Sequence, residues 1–178
     1  MTISEKHIIR LSMLLAGVPA AGLAHAEGRL YVQSPAVYAP GASYVQRVKD
    51  ECAVEVKLAG QVRNQLSKHF HDVIPIKDLA EAGEEKVVGL AISEIYGVGG
   101  GGWSGSKSIT AQAKLQQGGK VIGVFKDRNS SRGGVLGPFQ GTCAILDRAA
   151  EHLAEDIAKW LIRAMQDKSS LDSTKPDK

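Results

Sequence analysis

Glycine, serine, lysine and tryptophan crowd into residues 97–108, and any chemistry this chain performs is most readily sought there. Ser104-Gly105-Ser106-Lys107 matches S-x-x-K, the nucleophile motif of penicillin-recognising enzymes. That motif needs its serine at the start of a buried helix, and no companion Lys-Thr-Gly is present. Residues 97–102 satisfy G-x-G-x-x-G, which serves a dinucleotide only when a helix follows and points its positive end at the pyrophosphate. Here the next segment alternates with period two and reads as a strand. Gly105-Ser106-Lys107-Ser108 resembles a phosphate loop with the wrong spacing, again with no helix after it. No cofactor site is expected.

The remaining polar groups are equally restrained. His69 and His71 flank Phe70 near Asp72 and Asp78, a spacing that suits a metal pair on a strand but equally the polar end of a helix. His152 beside Glu151, Glu155 and Asp156 reads as a solvated helix face. No Ser-His-Asp set or carboxylate pair stands out, so neither a catalytic nor a metal site is assigned. Trp103, set among glycines and serines, is the best binding candidate, because a rigid amphipathic ring makes a good anchor. Ser104, Lys107 and Tyr96 are candidates beside it, and Tyr38 and Tyr44 could join the aromatic group.

These residues need a frame. From 109 to 115, Ile, Ala, Ala and Leu alternate with Thr, Gln and Lys, the pattern of a strand with one buried and one wet face. Gly118-Gly119 predicts a tight hairpin into a strand over 120–126, and 87–96 supplies the strand before. A short strand over 29–35 and another over 71–76, with Pro75 at an edge or bulge, bring the count to five. Residues 36–44, containing Pro40-Gly41, read as a loop, and 127–141 as another.

Val54, Leu58, Val62, Leu66 and Phe70 form the stripe of a helix beginning near Val48, with Asp50 and Glu51 at its positive end. Gly60 within it suggests close packing on the sheet. The second helix starts at a Thr142 cap and carries Ile145, Leu146, Ala149, Leu153, Ile157, Trp160, Leu161 and Ala164 on one side. The expected architecture is α+β: a two-layer sandwich of a five-stranded, mainly antiparallel sheet with both helices on one face.

The ends of the chain speak to location. Lys6 and Arg10, an apolar run and Ala24-His25-Ala26 read as a secretory signal spanning 1–26. Cleavage near Ala26 leaves one domain over 27–166 and a disordered polar tail over 167–178. A formal net charge of +3 over the whole chain is too mild to argue for nucleic acid or an anionic membrane. No later segment suits a membrane span, and no cysteine stands directly after the cleavage site to carry a lipid anchor. A location outside the cytoplasm, periplasmic or secreted, is expected. There the two cysteines, Cys52 and Cys143, read as one disulfide joining the starts of the two helices.

The layout of signal, strand, cysteine-started helix, four strands and terminal helix resembles small secreted proteobacterial domains of unknown function. Gly102-Trp103-Ser104-Gly105-Ser106-Lys107-Ser108 and the run Phe139-Gln140-Gly141-Thr142-Cys143-Ala144-Ile145 carry that resemblance. The layout is also similar to the amino-terminal domain of the Tol system's periplasmic propeller protein and to lipoprotein activators of peptidoglycan synthases. Many such relatives carry a lipid-anchor cysteine, which this chain lacks, and no catalytic residues come with the resemblance. The expected function is a non-enzymatic binding or adaptor domain in cell-envelope assembly, its partner an envelope protein or peptidoglycan. The alternative is an exported hydrolase using Ser104 and Lys107, or a carbohydrate-binding module.

Overall fold

Period-two alternation makes β5 (Lys107–Gln117) an inner strand with one covered face, Ile109, Ala111, Ala113 and Leu115 being buried on one side. The computed structural model describes residues 29–132 and 139–166. The expected signal and tail lie outside the described residues. β5 runs antiparallel to both β4 (Lys86–Tyr96) and β6 (Lys120–Ser131), and these are the longest ladders in the sheet. Gly118 and Gly119 both hold positive φ, 54° and 73°, as a primed two-residue turn requires.

β1 (Leu30–Gln33) lies parallel between β4 and β3 (Val73–Ile76), giving the order β3-β1-β4-β5-β6. Pro75 therefore sits on an edge strand, where its missing N–H costs no ladder bond.

The sheet has six strands rather than five. Residues expected as a loop form β2 (Val37–Ser43), parallel to β4 beyond the end of β1. Its pairing shifts between Tyr38 and Ser43, which accommodates Pro40 and Gly41 at φ 75°. Turn-forming residues hid a strand that tertiary pairing imposes. β6 likewise runs to Ser131, five residues past its expected end, because β5 pairs with it throughout. Asn129 is further fixed by donating through Nδ2 to Asp156 of the last helix, 3.1 Å away.

Between β1 and β2 the chain leaves the edge of β4, and the main-chain ladder is interrupted. Gln33 fills the gap: its Oε1 accepts from the Leu90 N–H at 3.0 Å inside the protein. A buried backbone donor without a partner costs about 1–3 kcal/mol. Gln33→Leu, which keeps the side-chain volume but not the acceptor, is therefore expected to lose stability of that size in urea unfolding. An unchanged midpoint would show that the Leu90 donor finds another partner.

The first helix is two helices. α1 (Gln46–Cys52) ends at Ala53, which takes the left-handed conformation (φ 46°, ψ 48°), and α2 (Val54–Leu66) starts in a new direction. The break is visible as a phase change, since Val48 and Cys52 are buried at one four-residue step and Val54, Leu58, Val62 and Leu66 at another. Asp50 and Glu51 consequently stand in the last turn of α1 rather than at a helix start. Phe70 is buried but lies beyond α2, and the Cβ position of Gly60 opens on empty space, so close packing does not account for that glycine.

α3 (Thr142–Gln166) buries the expected stripe, and Trp160, half-buried, stacks on Phe125 of β6 at 5.6 Å. α2, α3 and the inward residues of β1, β4 and β5 share one core, so both long helices cover the same face of the sheet. A smaller cluster of Ile76, Ala82 and Val87 lies apart from it, beside a 3₁₀ turn at Leu79–Ala82 capped by Asp78. The Cys52–Cys143 disulfide is present, with Cα atoms 5.0 Å apart. It ties the end of α1 to the first turn of α3.

Candidate functional site

The glycine-rich connection between β4 and β5 folds back over the amino terminus of α3. A single 3₁₀ turn, Gly101–Ser104, carries Trp103 and Ser104. Two main-chain donors staple the turn in place. The Gly101 N–H donates to Thr142 Oγ1 at 3.2 Å, and the Gly102 N–H donates to the Gln140 carbonyl at 3.0 Å. The Thr142 hydroxyl, expected to cap α3, instead holds this loop; the Ile145 N–H reaches the Gly141 carbonyl, so the helix begins there. Only glycine fits at 101. Its φ is 58°, and a Cβ would land on the Gln140 carbonyl oxygen.

Below the turn lies Lys107, fully buried at the first position of β5. Its parity matches Ile109, so the side chain enters the helix-covered side. Gly97 leaves room for the stem: a Cβ there would sit 2.7 Å from Lys107 Cδ. Lys107 Nζ donates to Ser104 Oγ at 2.8 Å and to the Gly105 carbonyl at 3.0 Å. Ser104 Oγ lies in turn 2.8 Å from the Gly99 carbonyl and 2.9 Å from that of Gly101, and donates to one of them. Burial pushes the Lys107 ammonium below the usual lysine range, since desolvation penalises its charge and these hydrogen-bond partners are all neutral. The structure thus brings Ser104 and Lys107 together, on a 3₁₀ turn and a strand rather than on the helix that S-x-x-K normally occupies.

Trp103 is 79 % exposed and meets Phe139, 82 % exposed, edge to face at 6.4 Å. Val98 is exposed in the same connection. Phe139 is the functional candidate that sequence reasoning missed. It lies 36 residues from Trp103, and its one signal was a large apolar residue amid glycine, proline and glutamine.

The expected tyrosines do not join the pair. Tyr38 and Tyr44 pack on each other at 4.9 Å with Lys49 Nζ over both rings, and the Tyr38 hydroxyl donates to Glu55 at 2.9 Å. Burial and Glu55 hold that phenol protonated well above the usual range. Tyr96 is exposed at the end of β4, with the Arg128 guanidinium 5.8 Å from its ring. A groove of about 430 Å³ separates the glycine loop and Thr142 from Val45, Val48 and Glu51 of the α1 region. His69, His71 and His152 are exposed, and among the described residues no group of three or more His, Cys, Asp or Glu is placed to hold a metal ion.

No family model matches the chain, and no curated protein matches it in sequence. Among solved structures it is similar to a Xanthomonas campestris protein of family DUF330, at 16 % identity and a TM-score of 0.45, over 80 % of this chain and 89 % of that one. It is also similar to the PelC dodecamer of Paraburkholderia phytofirmans (15 %, TM-score 0.43, 70 % of this chain and 86 % of that one). A hypothetical protein of Chlamydia trachomatis gives 10 %, TM-score 0.48, and 75 % and 98 % coverage. None of the three carries the expected likeness to the Tol propeller protein or to lipoprotein synthase activators.

Proposed function

We propose that this protein is an exported binding or adaptor domain of the cell envelope, and that it docks its partner through Trp103 and Phe139. The observation that carries the reading is the display of two aromatic rings, each about four-fifths exposed: Trp103 on the loop stapled to the amino terminus of α3, and Phe139 on the segment that leads into that helix. Here the staple to Thr142 and Gln140 holds their backbone in place, so binding would fix little that is not already fixed. Anchors of this kind commonly contribute about 2 kcal/mol or more to association.

The disulfide supports export, since such bonds persist in oxidising compartments. No helix among the described residues is long and apolar enough to cross a membrane.

The test is capture from envelope extracts with the wild type and with Trp103→Ala. The variant is expected to lose the captured partner, with affinity weakened roughly 30-fold and the melting temperature unchanged. Identical partner profiles would remove the aromatic pair from the account. Titration of the tryptophan emission with soluble muropeptides, with Trp103→Ala as the reference for Trp160, separates a glycan ligand, which quenches or shifts the Trp103 component directly, from a protein partner.

A further inference from the structure

We propose that Ser104 and Lys107 form a nucleophile–base pair that accepts acyl groups from carboxylic esters. Three features of the geometry lead to it. Ser104 is an exposed residue, whereas the Lys107 amine that its Oγ contacts at 2.8 Å is fully buried. Among the described residues Lys107 has no carboxylate or other charge as a hydrogen-bond partner; its Nζ donates to Ser104 Oγ and the Gly105 carbonyl. Gly97 holds space for the lysine stem, so that β4, the turn and β5 together aim Nζ at the hydroxyl.

A neutral amine fits the same positions as the ammonium. Its lone pair accepts the Ser104 Oγ–H, while one Nζ–H still donates to Gly105. Desolvation without a counter-ion shifts a lysine toward its neutral, basic form.

The reaction follows from that arrangement. Neutral Lys107 takes the Oγ proton as the Oγ lone pair bonds to the ester carbonyl carbon, and the carbonyl π pair moves to oxygen. Collapse of the adduct re-forms the carbonyl and breaks the carbon–oxygen bond to the leaving group. That alkoxide departs with the bonding pair and takes the proton from Lys107, leaving acyl-Ser104 and an alcohol. Water then gives a proton to Lys107 as its oxygen bonds to the acyl carbon; the adduct collapses with cleavage of the carbon–Oγ bond, and Oγ takes that proton back from Lys107, releasing a carboxylic acid and restoring Ser104. An alkoxide needs less assistance to leave than an amine, so a two-residue device suits esters before amides. Trp103, next in the chain to Ser104, and Phe139 offer an apolar surface for the acyl or leaving group.

The experiment uses the folded, disulfide-bonded protein with p-nitrophenyl acetate and an alkyl fluorophosphonate, read by intact mass and peptide mapping. A single adduct on Ser104 is expected, absent in Ser104→Ala. Its rate of formation is expected to rise with pH and then level off as Lys107 loses its proton. Lys107→Arg, which keeps the charge at all accessible pH, is expected to slow labelling by about 100-fold or more. No adduct on Ser104, or a rate that follows hydroxide without levelling, would overturn the proposal in the wild type alone. So would an arginine variant that labels as fast as the parent.

Discussion

Replacing both cysteines, Cys52→Ala with Cys143→Ala, is expected to lower the melting temperature by on the order of 10 °C. The bond spans a sequence separation of 91, and closing a loop of that length removes about 4–5 kcal/mol of chain entropy from the unfolded state. For a domain near 150 residues, each kcal/mol moves the transition by roughly 2–4 °C. The bond is well placed to deliver this, because it joins helices that already pack: Cys52 is buried in the main core and Cys143 lies against it. Calorimetry of the oxidised wild type and the double variant measures the difference, with thiol titration showing no free cysteine in the parent. A variant melting within about 2 °C of the wild type would mean that the unfolded chain is held compact by something else.

Gly101→Val is expected to abolish partner capture as fully as Trp103→Ala while costing only a few degrees of melting temperature. A β-branched residue at φ 58° is strained, and here its Cβ also meets the Gln140 carbonyl, a backbone atom that cannot rotate away. The loop is then expected to leave α3 and give up its bonds to Thr142 and Gln140, each worth about 1 kcal/mol. The stability loss stays near those two bonds as long as Ser104 and Gly105 keep their bonds to buried Lys107, since the strain is relieved once the Gly101 end of the turn lifts off. The binding loss has no such limit, because Trp103 is no longer held beside Phe139. Gly99→Ala is the control: its Cβ meets nothing within 4 Å and its φ is not positive, so both properties should stay at wild-type values. Capture by Gly101→Val at the wild-type level would show that the staple is not what presents the aromatic pair.

The open end of the sheet shows how polar residues can be structural without being a site. Glu94 accepts from Thr110 at 3.1 Å, while Arg128 donates to the Ser108 hydroxyl at 3.1 Å and lies 3.9 Å from Glu94. These side chains alternate away from Ile109 and Ala111, on the face the helices leave uncovered. They cross-link three strands where the apolar core does not reach.

Local patterning in the chain determined a good deal by itself. Strict alternation over 109–115, the paired glycines at 118–119 and the three-four spacing of α3 each follow from geometry that a few neighbouring residues impose, so the central hairpin, the last helix and the α+β class were legible. Two cysteines in a chain with an export-like start were enough for the disulfide. What neighbouring residues could not decide was anything resting on distant pairing. β2 contains proline and glycine and exists because β4 offers it an edge; Asp127 to Ser131 stay extended because β5 runs alongside them. The turn at Ala53 is a left-handed alanine that no propensity favours.

The candidate site divides in the same way. Trp103, Ser104 and Lys107 were visible as residue types at short spacing, yet the burial of Lys107, the 2.8 Å contact to Ser104 and the arrival of Phe139 from across the chain belong to the fold. A side chain's chemistry is written at its own position. Its solvation and its partners are set by whatever the rest of the molecule brings next to it.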